Sequence, residues 1–224
     1  MYIQITDHCN MSCAHCLFSC SSSKRGTFMH KDTFLRVLKF AEERGMYITL
    51  GGGEPTLHPK FWEFLGLALA GDFEEGGIWM ATNGSVTKAA LALAKLAKSG
   101  AIGCALSQDE WHDPIDPVVV SAFKDLEVRN VSGRVVNKGA AFDNGIADRD
   151  GCGCNDTFVN PNGEVYMCGC PDSLKLGGLE VLQNDALFKR LREVGEDTDD
   201  CGGNLTDAQR DYILGLVSEL EHAA

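Results

Sequence analysis

Long apolar runs are missing from this sequence: no stretch approaches the roughly 18 residues needed to span a bilayer, which disfavours a membrane-spanning role. The opening residues, Met1-Tyr2-Ile3-Gln4-Ile5-Thr6, have neither the basic start nor the apolar stretch of an export signal, so a cytoplasmic location is expected. Positive charge is also short, with 20 Lys+Arg against 32 Asp+Glu and a formal net charge of −12. Such a balance speaks against a nucleic-acid backbone held by bulk electrostatics. Internal repeats and low-complexity linkers are absent. With 44% hydrophobic and 23% charged residues, the composition is that of a folded chain rather than a disordered one. From Gly26 to Lys138 even cysteine is nearly missing, Cys104 standing alone there.

Cysteine is abundant outside that stretch. The ten cysteines in 224 residues fall at 9, 13, 16, 20, 104, 152, 154, 168, 170 and 201. In a chain expected to stay in a reducing compartment, clustered cysteines point to metal or iron-sulfur ligands more than to disulfides. The length fits one domain, or one domain with a small appendage.

The cysteine-poor middle reads as alternating strands and helices. Tyr2–Thr6, Met46–Leu50, Gly77–Ala81 and Ala101–Ser107 are predicted strands, with a weaker one at Arg134–Asn137. Between them, Lys31–Arg44 carries Phe34, Val37, Leu38 and Ala41 at helical spacing and stops at Gly45. Further helices are expected at Pro59–Ala70, Thr87–Ser99 and Val118–Leu126. Strands alternating with helices of about a dozen residues imply βα units around a parallel sheet. Four such units, with room for a fifth, fall short of a closed eight-unit barrel, so an open, partial (β/α) barrel is expected. Each polar or glycine-rich motif follows a strand, and in parallel α/β folds that edge takes the ligand.

The first cysteine motif is Cys9-Asn10-Met11-Ser12-Cys13-Ala14-His15-Cys16, a C-x3-C-x2-C spacing. Three thiolates on one loop can hold three irons of a four-iron cluster and leave the fourth open. Zinc is the alternative, with Cys20 closing a four-thiolate site. After the second strand comes Gly51-Gly52-Gly53-Glu54-Pro55. Thr82-Asn83-Gly84 follows the third strand and Ser107-Gln108-Asp109 the fourth. These four motifs, in this order over roughly residues 1–140, resemble the radical S-adenosylmethionine (SAM) superfamily. The resemblance implies that Cys9, Cys13 and Cys16 hold a [4Fe-4S] cluster whose open iron chelates SAM. It further implies that the Gly51–Glu54 backbone meets the SAM amino group, that Asn83, Ser107 and Asp109 face its methionine and ribose parts, and that His15 lies near the adenine. Reductive cleavage of SAM would then give a 5′-deoxyadenosyl radical that abstracts a substrate hydrogen. An external donor such as flavodoxin or ferredoxin would supply the electron.

Beyond Gly151 the pattern changes. Phe158–Val159 and Glu164–Met167 flank Pro161-Asn162-Gly163, a predicted β-hairpin framed by Cys152-Gly153-Cys154 and Cys168-Gly169-Cys170. The C-x10-G-x4-C run from Cys152 to Cys168, followed by Leu176-Gly177-Gly178-Leu179 and a helix with Phe188 and Leu191, resembles SPASM and twitch extensions. Those extensions bind auxiliary iron-sulfur clusters. The resemblance implies a core over 1–140 and an extension over 141–224, with one auxiliary cluster drawing on Cys152, Cys154, Cys168, Cys170 and Cys201. A zinc hairpin of two CxC pairs is the competing reading.

Cys104, within an apolar strand, reads as a small buried hydrophobe, and Cys20, in the polar Phe18–Ser23 loop, as a free thiol. Trp111 and His112 are read as shaping the ribose side or the substrate entrance, and Lys138 and Arg134 as surface charges or partners of the SAM carboxylate. Glu193–Asp200 reads as a solvated acidic loop and Gln209–Glu221 as a terminal amphipathic helix. The functional expectation is a radical SAM enzyme that oxidises or cross-links a peptide side chain. A small-molecule or nucleotide substrate is the alternative within the family, and a non-catalytic iron-sulfur electron carrier or redox sensor the alternative outside it.

Overall fold

A computed structural model describes residues 1–73, 77–150, 156–186 and 206–221. One eight-stranded sheet organises them. Its strands are β1 (Tyr2–Thr6), β2 (Ile48–Gly52), β3 (Ile78–Thr82), β4 (Gly103–Ser107), β5 (Glu127–Arg129), β6 (Phe158–Val159), β7 (Val165–Tyr166) and β8 (Lys175–Gly177). They lie in the order β5-β4-β3-β2-β1-β6-β7-β8. The run β5 to β1 is parallel, β6 adds in parallel on the free side of β1, and β7 and β8 continue antiparallel. Among the described residues the sheet does not close, and β5 and β8 are its edges.

The crossover helices are α1 (Lys31–Glu43), α2 (Phe61–Leu69), α3 (Thr87–Lys98) and α4 (Pro117–Ala122), with α5 (Ala140–Asn144) before β6 and α6 (Asp207–Glu221) beyond β8. Helix α1 buries Phe34, Val37, Leu38 and Ala41, the stripe its spacing predicts, and adds Phe40. The Phe34 ring stacks on Phe64 of α2 at 4.1 Å between centroids. Ile3, Ile5, Ile48, Leu50 and Met80 of the first three strands are fully buried in the same core, which continues into Val159, Val165, Leu176 and Ile213. Among the described residues no helix is long and apolar enough to cross a membrane.

Two expectations are corrected. The helix expected over Val118–Leu126 starts at Pro117, where Asp116 caps it by accepting from Val118 N at 3.0 Å, and ends at Ala122. The chain then forms β5, which the sequence reading missed. All three β5 residues are exposed and two are charged, so this edge strand has no apolar alternation to betray it. The strand expected at Arg134–Asn137 is not formed; Val136 makes only an isolated bridge to Arg149. The hairpin forms as expected, with Gly163 at φ +81° and its N–H donated to Asn160 O at 3.0 Å. Phe188 and Leu191, like the acidic run at 193–200, lie outside the described residues.

Candidate active site at the carboxyl ends of the parallel strands

The first cysteine loop and the glycine run are fastened to one another. Gly53 N–H donates to Thr6 O and Glu54 N–H to His8 O, each at 2.8 Å. A Cβ on Gly51 would meet Tyr2 Oη at 1.9 Å, on Gly52 Thr6 O at 2.6 Å, and on Gly53 His8 O at 2.4 Å. The absence of side chains is therefore what lets the end of β2 lie against the end of β1 and its loop.

Cys9, Met11 and Cys20 form a small buried cluster against which Cys13, Cys16, Phe18 and Ile115 pack. Cys9, Cys13, Cys16, Cys20 and Cys104 form no disulfide. Cys104 is buried in the core, where burial pushes its thiol up to about 12. Two turns shape the loop: Cys16 N–H donates to Cys13 O and Ser19 N–H to Cys16 O, both at 3.1 Å. Cys9 Sγ accepts from Met11 N at 3.4 Å and from Asn83 Nδ2 at 3.8 Å. The neighbouring Cys20 thiol, helped by backbone N–H groups of residues 18–20, holds Cys16 below the ordinary thiol range against its burial. Burial pushes Cys13 up to about 12, with Cys9, Cys16 and the carboxylates of Asp109 and Asp113 adding to the shift, and raises Cys9 too.

These features fit an iron-sulfur cluster. The thiols form no disulfide, and a backbone and an amide N–H already point at the Cys9 sulfur, the interaction by which proteins set cluster potentials. A single zinc ion would draw its sulfurs to about 3.8 Å from one another. Among the described residues no three cysteine sulfurs lie within even 4.8 Å, so the loop is splayed wider than one ion requires.

Glu54 anchors the neighbouring strand ends. Its fully buried carboxylate accepts from Thr56 N (3.1 Å), Thr56 Oγ1 (2.5 Å), Thr82 Oγ1 (2.9 Å) and Asn83 N (2.7 Å). Burial raises its pKa, opposed by those hydrogen bonds. Pro55 opens the short 3-10 turn Pro55–Leu57 that Glu54 caps. Asn83 donates its amide to Asn10 Oδ1 at 3.1 Å and accepts from Ser85 Oγ at 2.6 Å. Asn10 and Ser85 were not singled out from the sequence, and nothing in their spacing marks them.

At the end of β4, Ser107, Asp109, His112 and Asp113 line a cavity of about 100 Å³ with Asn83 and Ile115. The Asp109 carboxylate turns inward, its side chain only 1% exposed. Its Oδ1 accepts from His112 Nδ1 at 2.7 Å and Trp111 N at 3.2 Å, and its Oδ2 lies 3.7 Å from His15 Nε2. The His15 ring packs against Trp111 and His112, at 5.1 and 5.2 Å between centroids. Burial lowers the His15 pKa, partly offset by Asp109. His15, Asn83, Ser107 and Asp109 are thus gathered at one edge, beside Cys9 and Cys13.

The second cysteine region comes next to the first through aromatic rings. Phe18 of the first loop stacks on Phe158 of β6 at 5.5 Å, and Tyr2 lies against both. A Cβ on Gly169 would touch Phe158 at 3.3 Å and Phe18 at 3.4 Å. Its neighbours Cys168 and Cys170 are buried in a turn closed by Cys168 N–H to Ser173 Oγ and Ser173 N–H to Cys170 O, both 2.9 Å. Cys152, Cys154 and Cys201 lie outside the described residues. Segment 138–144 covers the first loop: Ala140 N–H donates to Cys16 O at 2.9 Å and Asn144 Nδ2 to Ala14 O at 3.0 Å. Lys138 pairs with Asp172 at 2.5 Å and Arg134 donates to Asn130 O at 2.7 Å, so both cations have protein partners. A cavity of about 580 Å³ opens beside this segment, lined by Ser19, Lys138, Phe142, Asp143, Asp150 and Asp172.

Comparison with known proteins places this arrangement. Residues 3–125 match the family model of the radical SAM superfamily. The mycofactocin maturase MftC of Mycobacterium ulcerans is 28% identical over 241 aligned residues, covering 94% of this chain and 64% of the relative. MftC of Mycolicibacterium smegmatis is 34% identical over 121 residues, 52% of this chain and 29% of the relative. The chain therefore spans a little under two thirds of the length of the first of these relatives. The crystal structure of BtrN in complex with AdoMet and 2-DOIA superposes with a TM-score of 0.60, covering 90% of each chain at 15% identity, a likeness of fold. With more than half of its residues matched to the family and the motif-bearing loops gathered at one sheet edge, the chain belongs to the radical SAM superfamily of enzymes, whose chemistry implies a [4Fe-4S] cluster and SAM.

Proposed function

We propose that this enzyme modifies a peptide side chain, by oxidation or cross-linking, and that Cys9, Cys13 and Cys16 hold its SAM-binding cluster. The observation that carries the peptide substrate is the alignment with a maturase over 94% of the chain. When bound, the cluster and SAM supply a 5′-deoxyadenosyl radical that abstracts a substrate hydrogen. The chain's own residues bind, orient and shield. Gly51, Gly52 and Gly53 bring bare backbone to the cluster loop, where the SAM amino group would find carbonyls. Glu54, Pro55 and Thr82 hold that edge rigid through the buried hydrogen bonds at the carboxylate. Asn83 and Ser107 offer polar groups to the methionine and ribose, while His15, braced by Asp109, flanks the adenine.

Residues 1–140 act as the core and 141–224 as an extension carrying an auxiliary cluster, with Cys168 and Cys170 as ligands alongside Cys152, Cys154 and Cys201. A flavodoxin or ferredoxin of the cytoplasm delivers the electron. Anaerobic reconstitution followed by SAM and a strong reductant tests this reading. The wild type is expected to load about eight irons if two four-iron clusters form, and to release 5′-deoxyadenosine. Cys13→Ala is expected to abolish the release; persistence of it would sink the ligand assignment. Iron near four with bound zinc would sink the auxiliary cluster. A mass change in a short precursor peptide supports the substrate class, and turnover of a small molecule or nucleoside alone overturns it.

A further inference from the structure

His15 stands on the first cysteine loop and Asp109 and His112 on the loop after β4, yet each offers one ligand atom within 4.8 Å of the other two. Among the described residues no other three His, Cys, Asp or Glu side chains are drawn so close. The central Asp109 carboxylate is 1% exposed, and its Oδ1 accepts from His112 Nδ1 at 2.7 Å and Trp111 N at 3.2 Å. Its Oδ2 and His15 Nε2 face each other at 3.7 Å, too far for a hydrogen bond. The other ring nitrogen of His15, Nδ1, is buried with no hydrogen-bond partner among the described residues. Neighbouring ligands of one ion, each about 2.1 Å from it, stand about 3.0 Å apart in octahedral and about 3.4 Å apart in tetrahedral geometry. The separations of 2.7 and 3.7 Å bracket those spacings, so small side-chain shifts bring all three groups onto one ion.

We propose that His15, Asp109 and His112 form a binding site for a divalent first-row transition cation, separate from the cysteine-held cluster. Two imidazoles and one carboxylate are a ligand set that suits such ions and leaves positions open. To bind, His112 carries its ring proton on Nε2 and turns the Nδ1 lone pair to the ion. Trp111 N–H keeps its bond to Oδ1 and fixes the carboxylate, the supporting contact that ligating carboxylates commonly have. An ion at a ring nitrogen lies in the plane of the imidazole, so the faces of His15 stay available to other contacts. Asp109 and His112 also line the cavity of about 100 Å³, from which water or another oxygen ligand completes the coordination. The inference stands on these side chains and does not depend on the SAM or peptide reading.

Mn²⁺ is the probe, because it favours nitrogen and oxygen ligands over thiolates and so leaves the cysteines alone. It is titrated into the reconstituted full chain with the cluster oxidised and EPR-silent. Loss of the free-ion EPR signal counts bound Mn²⁺, electron spin-echo modulation reports nitrogen ligands, and iron content reports the cluster separately. The wild type is expected to bind about one Mn²⁺ per chain, coupled to two imidazole nitrogens. His112→Gln is expected to lose one of the two couplings, and Asp109→Asn to weaken binding by about tenfold or more. No nitrogen-coupled Mn²⁺ in the wild type at millimolar ion, whether none binds or all of it sits on surface carboxylates, overturns the proposal. Two couplings retained in His112→Gln overturn it as well. The wild-type spectrum decides by itself, so a variant that fails to fold does not blunt the test. A wild type that holds no iron but keeps the nitrogen-coupled Mn²⁺ refutes the cluster reading and supports the cation site.

Discussion

Gly53→Ala isolates the steric demand at the junction of the two loops. The backbone of Gly53 lies outside the left-handed region, so alanine's own conformational preferences are met and only space is at issue. The added Cβ would sit 2.4 Å from His8 O, 2.6 Å from His8 C and 2.9 Å from Cys9 Cβ, whereas ordinary contact begins at 3.4 Å. Two of the three obstructions are main chain, so no rotamer change relieves them. The backbone at His8 must recede by 3.4 − 2.4 = 1.0 Å. That retreat stretches the 2.8 Å bond from Glu54 N–H to His8 O beyond hydrogen-bonding distance. Forced backbone movement costs about 1–3 kcal/mol and a lost hydrogen bond about 0.5–1.5 kcal/mol, so a loss of about 2–4 kcal/mol in unfolding free energy is expected. Cys9 moves with its neighbour, so iron loading should fall as well. Urea denaturation of the reduced apoprotein and iron per chain after reconstitution measure both. Gly66→Ala is the control: its Cβ meets nothing within 4 Å on helix α2, and a gain of about 0.5–1 kcal/mol is expected there. If Gly53→Ala unfolds within about 0.5 kcal/mol of the wild type and loads iron equally, the steric account of the glycine run is refuted.

Phe34→Ala removes a fully buried ring stacked on Phe64 and is expected to cost about 3–5 kcal/mol in the same denaturation assay; a loss under about 1 kcal/mol would contradict the packing described. Glu54 makes a pH prediction. Its folded pKa is raised by burial, so between the ordinary carboxylate value and the raised one the native state holds a proton that the unfolded chain has released. Stability on its account is therefore greatest below the unfolded value, about 4.3, and falls as pH rises through the folded one. Glu54→Gln should flatten that fall in a series of denaturation midpoints against pH, and an unchanged slope would contradict it.

The parallel α/β plan was legible because its main crossover helices carry apolar stripes and its inner strands are largely apolar. Phe34, Val37, Leu38 and Ala41 of α1 are buried as their spacing requires. Strand β5 was not legible, since an exposed edge strand pairs through its backbone and leaves its side chains free to be Glu and Arg. Nor was the insertion of β6 beside β1, because the local hairpin signal says which strands turn back on each other and nothing about the strand they join.

The four motifs, their order and the chemistry of their side chains are properties of the sequence alone: thiolates in C-x3-C-x2-C and a glycine run after a strand are recognisable without coordinates because close spacing keeps each set on one loop. Only the tertiary structure decided how residues far apart meet. It turned Asp109 toward His15 and hung Asn83 on Asn10 and near Cys9. Those contacts join loops from different strand ends, so they depend on how the sheet twists and packs, which local spacing does not encode.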